Sequence, residues 1–119
     1  MFILVFVFIF HHFVYDFDAR LKVSFLDVGQ GDSTFIKMGG KNILIDTGGN
    51  FMNKDYSLVL NETIPYLRAS GAYKIDYLIL THGDYDHMGE AINLVNNFKV
   101  EKVIFNCGNF NTLETELIK

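Results

Sequence analysis

Four side chains able to bind a metal crowd the six positions from His82 to His87: His82, Asp84, Asp86 and His87, in the run Thr81-His82-Gly83-Asp84-Tyr85-Asp86-His87. Neutral imidazole is a borderline ligand and carboxylate a hard one, so two of each suit Zn²⁺, Mn²⁺ or Fe²⁺. Asp84, standing where a third imidazole could sit, tilts the set toward Mn²⁺ or Mg²⁺. Side chains diverge along such a loop. His82 with Asp84 can face one side and Asp86 with His87 the other, which suits two cations about 3.5–4 Å apart. Paired divalent ions of this kind polarise a phosphoryl oxygen and bring the pKa of water toward neutrality, which is hydrolytic chemistry. The competing reading is a polar surface loop whose Asp86 caps the following helix; four ligands in six positions is denser than capping requires.

The elements around this loop must hold it in place. Ile75–Leu80 is a short apolar, β-branched and aromatic block, which predicts a buried strand ending at the loop. Met88–Asn97 carries Ala91, Ile92 and Val95, with Phe98 just after it, at amphipathic spacing and predicts a helix with Asp86 and His87 at its N-terminus, where the dipole favours negative charge and a bound phosphate. Upstream, Leu21, Val23 and Phe25 alternate with Lys22 and Ser24, as in a half-buried strand. Gly29–Asp32 reads as a turn, Ser33–Met38 as a second strand, Gly39-Gly40 as a hairpin turn, and Lys41–Asp46 as a third strand. Asp46 ends that strand beside Thr47-Gly48-Gly49, where its carboxylate can hold the metal loop by hydrogen bonds without being a ligand. Gln30 and Asp32 sit in the Gly-rich turn, where they either bond their own backbone or lie beside the site. Ser57–Ser70 reads as a helix kinked or restarted at Pro65, with Gly71 closing it. Val100–Phe105 predicts a last strand and Asn111–Lys119 a final helix. Tyr73 and Tyr77 are expected in packing roles; Tyr85, inside the loop, is a candidate for lining a substrate groove.

These motifs together resemble a known family. The loop is similar to the H-x-[HD]-x-D-H signature of the metallo-β-lactamase fold. Leu26-Asp27-Val28-Gly29-Gln30-Gly31-Asp32-Ser33, Ile43–Gly49, and Pro65–Arg68 leading to Gly71 and Ile75-Asp76 resemble the metallo-β-lactamase-like domain of ComEC-type DNA-internalisation (competence) proteins, from about Leu21 to about Phe105. The resemblance implies an α/β fold, an αββα sandwich of which about half is present in residues 20–119. It implies Gln30 and Asp32 beside the site and Asp46 in support. The family completes its site with a further His, a bridging Asp and a last His; no His follows His87 here. The expectation is therefore a piece of a longer product, inactive alone, with one apolar sheet face uncovered.

Composition limits the partners. The chain has 119 residues and a formal net charge of −4, so it offers no basic footprint for nucleic acid. Any polyanion must be held through bound cations. One Cys, Cys107, excludes an internal disulfide. Residues 1–17 are dominated by the apolar run Met1–Phe10. It is short of the roughly 20 residues of a full span and lacks the charged start of a signal peptide. A signal anchor and a buried strand are alternatives; the reading favoured is the end of a longer transmembrane helix, with residues 1–15 in the membrane and His11 and His12 at its surface. The resemblance places such a helix at the end of a polytopic channel, with the following domain on the extracytoplasmic face.

The function expected is that of a metal-dependent phosphodiesterase acting on DNA, with Asp86 orienting the attacking water and two divalent ions, Mn²⁺ or Zn²⁺ with Mg²⁺ as a third option, as cofactors. Single-stranded DNA held through those metals is the expected partner. A non-catalytic membrane-anchored remnant, a channel-associated domain, and a metallo-hydrolase of another substrate are the alternatives, since fold alone does not choose a substrate.

Overall fold

The computed structural model describes residues 2–16, 20–50, 52–53, 56–106 and 108–119, except for the side chains of residues 12–16. Cys107, the side chain of His12 and the junction at residues 17–19 lie outside the described residues.

A five-stranded sheet, in the order β1-β2-β3-β4-β5, organises the chain. The first three strands, β1 (Lys22–Phe25), β2 (Thr34–Met38) and β3 (Lys41–Ile45), form an antiparallel meander. The two-residue turn at Gly39-Gly40, both at positive φ, closes the second hairpin. Beyond it the pairing becomes parallel: β4 (Tyr77–Leu80) lies beside β3, and β5 (Val103–Phe105) beside β4. Ile75 and Val100 form an isolated bridge ahead of the last pair. The expected strand Val100–Phe105 is therefore shorter, because the Ile75 carbonyl takes the Glu101 N–H before regular pairing begins.

Parallel strands need crossovers, and these are the helices. Between β3 and β4 the chain forms one π-helical stretch (Val59–Thr63) and then α2 (Ile64–Ala69), with Pro65 in the first turn of α2. Pro65 thus marks a restart: proline has no N–H to give the preceding turn, and the chain widens there before continuing. Between β4 and β5 the expected single helix is two pieces, α3 (Tyr85–Met88) and α4 (Ala91–Asn97), broken at Gly89-Glu90. The break has a distant cause. Glu90 is buried, and its carboxylate accepts from Ser57 Oγ, Val59 N and Asn93 Nδ2. Asp86 and His87 consequently lie inside a four-residue turn rather than at the N-terminus of a long helix, and the dipole argument for them lapses, since nucleation of so short a turn leaves little aligned dipole.

The helices cover one face of the sheet. Phe35, Leu44, Leu78 and Leu80 point into a core completed by Ile64, Leu67, Met88, Ala91, Leu94 and Phe98. Burying each such side chain contributes roughly 1.5–3 kcal/mol. The other face carries two cross-strand rows, Val23–Ile36–Ile43–Tyr77 and Phe25–Thr34–Ile45–Ile79–Ile104. These are half-buried or exposed; Phe25 is 84% exposed. The alternation in β1 has the expected period, but its apolar side looks onto this open face, while Ser24 faces inward to accept from Tyr66 Oη at 2.7 Å.

At the N-terminus, α1 (Phe2–Asp16) is a helix whose side chains from Phe2 to His11 are all exposed. Among the described residues no helix is long and apolar enough to cross a membrane. α5 (Thr112–Leu117) closes the chain, with Leu113 and Leu117 against the core.

Candidate metal centre

The site lies at the C-terminal ends of β3 and β4, where parallel strands of open α/β sheets present their chemistry. Asp46 leaves β3 with φ 57°, a left-handed conformation that Asp tolerates better than most residues. Its N–H still pairs with the Ile79 carbonyl, and its own carbonyl accepts from Ser33 Oγ, so the turn is held on both sides. This geometry aims the buried carboxylate at the loop following β4. There it accepts from Thr81 N (2.9 Å) on Oδ1, and from Thr81 Oγ1 (2.6 Å) and His87 Nδ1 (3.0 Å) on Oδ2.

These bonds assign the tautomer of both imidazoles. A carboxylate only accepts, so His87 must carry its proton on Nδ1. Thr81 gives its single hydroxyl proton to Asp46, so at 3.0 Å it must accept from His82 Nδ1. In the neutral form of each ring this leaves the lone pair on Nε2, the form that binds metals. His82 Nε2 lies 3.5 Å from Asp84 Oδ2, and His87 Nε2 3.6 Å from Asp86 Oδ2 and 4.0 Å from Asp32 Oδ2. The two rings are 3.7 Å apart between centroids, and His82, Asp86 and His87 each offer a donor atom within 4.8 Å of the others. Asp84 stands at the edge of this trio and Asp32 further out, both with exposed carboxylates. Gln30 is exposed on the rim of a groove lined by Val28, Gly49, Asn50 and Leu58.

Backbone packing fixes the rest. Thr47 N donates to the His87 carbonyl at 2.7 Å, and Asp32 N to the Asp86 carbonyl at 3.3 Å. Gly31 (φ 146°) lies so close to the Asp86 carbonyl that no Cβ would fit. The Gly-rich turn between β1 and β2 is thereby pressed onto the metal loop. The ring of Tyr85 rests against Gly49 and Gly89. Thr81 was not assigned a role by the sequence reading; the signal available was a hydroxyl residue immediately before the first imidazole.

The donor set fits divalent cations: neutral imidazole nitrogens and carboxylate oxygens converge, each ring nitrogen that is not free is tied to a partner, and among the described residues no Lys or Arg pairs with Asp46, Asp84 or Asp86.

Comparison with known proteins agrees. The family described as the Metallo-beta-lactamase superfamily matches residues 26–106, and the chain belongs to that superfamily. Within it, the resemblance to competence proteins holds. The chain is 39% identical over 94 residues to ComE operon protein 3 of Bacillus subtilis (strain 168). It is 42% identical over 74 residues to Recombination protein 2 of Haemophilus influenzae (strain ATCC 51907 / DSM 11121 / KW20 / Rd), and 31% over 82 residues to Competence protein ComA of Neisseria gonorrhoeae. These matches cover 70%, 62% and 67% of this chain but 12%, 9% and 11% of the relatives. The chain thus spans about a tenth of the length of the curated relatives it matches.

Proposed function

We propose that this chain is part of a metal-dependent phosphodiesterase that acts on DNA in competence-type uptake. The observation that carries the reading is the convergence of His82, Asp86 and His87, both rings presenting Nε2, on the carboxylate-held loop. The name of one relative speaks of competence and that of another of recombination, and both support DNA as the substrate class.

In this reading His82 with Asp84 and His87 with Asp86 hold two divalent ions, Mn²⁺, Zn²⁺ or Mg²⁺. Such ions supply Lewis acidity toward a phosphoryl oxygen and make water acidic near neutral pH. The chain's own residues do the positioning. Asp46 and Thr81 keep both Nδ1 protons in place. The partly exposed Asp86 carboxylate orients a water by accepting its proton in a hydrogen bond. Among the described residues no Lys or Arg pairs with these carboxylates, so bound cations would offset their charge and would let a chain of net charge −4 hold a polyanion.

The open sheet face is assigned to the second sheet of an αββα sandwich, and the remaining ligands to the same missing half. α1 is assigned to the end of a membrane helix of a polytopic channel, with the sheet domain on the extracytoplasmic side and a single DNA strand as partner. The second reading is a non-catalytic remnant or channel-associated domain.

The test is Mn²⁺-dependent nicking of DNA by the domain extended to its full length. Asp86→Ala should lower the rate by at least a hundredfold, and unchanged nicking sinks the assignment. Calorimetric titration of the domain extended to its full length with Mn²⁺ and Zn²⁺ separates the two readings: saturable binding supports a metal site, and none supports the remnant.

A further inference from the structure

The N-terminus of α5 sits on the metal loop. Asn111 is its N-cap: Oδ1 accepts from Glu114 N at 3.0 Å, and Glu114 Oε2 accepts in return from Asn111 N at 2.8 Å. This capping box uses only half of the Asn111 amide. The other half, Nδ2, donates to the carbonyl of Gly83, 28 residues away and directly between His82 and Asp84. The approach is close enough that any side chain at 83 would displace this contact. A Cβ there would collide with the Asn111 amide and would lie 2.7 Å from Glu114 Oε2.

The far side of this contact is anchored. Leu113 and Leu117 pack on the hydrophobic core, Glu114 is buried, and Phe110 rests on Phe105 of β5 with ring centroids 5.2 Å apart. The loop is thus gripped at two points. Asp46 holds its ends, through Thr81 and His87, and Asn111 holds its middle. Between those grips the backbone has little freedom, and the spacing of His82, Asp84 and Asp86 is set by both.

We infer that Asn111 is a positioning residue for the metal loop: the α5 cap clamps Gly83 and so fixes where His82 and Asp84 stand. Its consequence for metal binding rests on the function proposed above, whereas the clamp itself does not. An aspartate or serine at 111 remains a good N-cap, but neither can donate an amide N–H to Gly83. Capping and clamping are therefore separable.

The experiment compares the 119-residue chain with Asn111→Ser and Asn111→Asp in mild detergent. Amide exchange and carbonyl ¹³C shifts are read without metal, followed by titration with Zn²⁺ and Mn²⁺. The expected result is unchanged exchange in α5 and a moved Gly83 carbonyl signal. Exchange at His87 and Met88, whose N–H groups bond the Asp84 carbonyl, should be about tenfold faster. Metal affinity should be about tenfold weaker in both variants. An unmoved loop in both variants overturns the clamp. So does an effect confined to Asn111→Asp, which would mark charge repulsion, or an α5 that unravels in step with the loop. A loop that loosens in a chain binding no metal, wild type included, leaves the clamp standing and removes its consequence for metal binding by this chain.

Discussion

Two buried aspartates sit at opposite ends of the same parallel strand pair, and they are solvated in opposite ways. Asp76 precedes β4. It accepts from Asn42 N at 2.9 Å and pairs with Lys74 at 3.1 Å and Lys41 at 3.3 Å. Asp46 follows β3 and, among the described residues, its carboxylate receives a peptide N–H, a hydroxyl and an imidazole. Each is at most 5% exposed. Burying a carboxylate is costly unless it is paired and hydrogen-bonded. Asp76 has that compensation built in and serves as a fastener between the starts of β3 and β4. Asp46 has hydrogen bonds but no fixed ammonium or guanidinium among the described residues, and Asp84 and Asp86 stand nearby. Among the described residues the lower end of the sheet carries its own ammonium groups, while the upper end gathers carboxylates without one.

The comparison breaks most visibly at Asp46. Asp46→Asn should weaken Zn²⁺ and Mn²⁺ binding by about ten- to a hundredfold, because an amide cannot accept all three donors and both imidazoles lose their fixed tautomer. Calorimetric titration measures this. Affinity equal to wild type would make Asp46 another fastener and dissolve the contrast.

Asp76→Asn should do the reverse. It lowers unfolding free energy by about 1–3 kcal/mol, read by urea denaturation, since hydrogen bonds to a charged group are lost or weakened. Metal affinity should stay within about twofold.

How much of this was legible beforehand differs between the two ends. The upper end could be read from local spacing. Asp46 closes an apolar strand before Thr47-Gly48-Gly49, and His82 to His87 are contiguous. The lower end could not, because Lys41 and Asp76 are 35 residues apart and meet only once β3 and β4 pair. The same limit hid Glu90, whose partner Ser57 is 33 residues away, and Asn111 against Gly83. Hydrophobic period gave the strands but not the side each would bury. Val23 and Phe25 alternate correctly, yet what decides their burial is the layer laid over them, which their own pattern does not encode.

Acid sharpens the contrast by a smaller amount. Burial pushes the Asp76 carboxyl upward, but the Asn42 N–H and the Lys74 and Lys41 ammonium groups together outweigh it and hold the pKa below the usual range. A carboxyl depressed in the folded state stabilises fully above its unfolded pKa of about 3.9, and the contribution is lost as pH falls through the folded value. The stability difference between wild type and Asp76→Asn should therefore be constant from pH 7 to about pH 5 and shrink below about pH 4. A difference that persists undiminished at pH 2 would mean that the charge of Asp76 contributes nothing.

The smallest effect lies on the alkaline side and isolates one lysine. Hydrogen bonding and attraction to Asp76, with Glu101 adding a little, raise the pKa of Lys74. A base raised in the folded state stabilises fully below its unfolded pKa, about 10.4, and the benefit disappears as pH climbs through the folded value. Lys74→Met should remove that alkaline loss while leaving the acid limb partly in place, because Lys41 and the Asn42 N–H still hold Asp76. Lys74 is well exposed, so added salt should erode the difference between wild type and Lys74→Met by screening. Urea midpoints at pH 8 and pH 11, in low and high salt, supply the measurement. An Asp76 contribution that vanished altogether in Lys74→Met would show that one lysine closes the lower end alone, and the contrast with Asp46 would then rest on a single fixed charge rather than on a buried network.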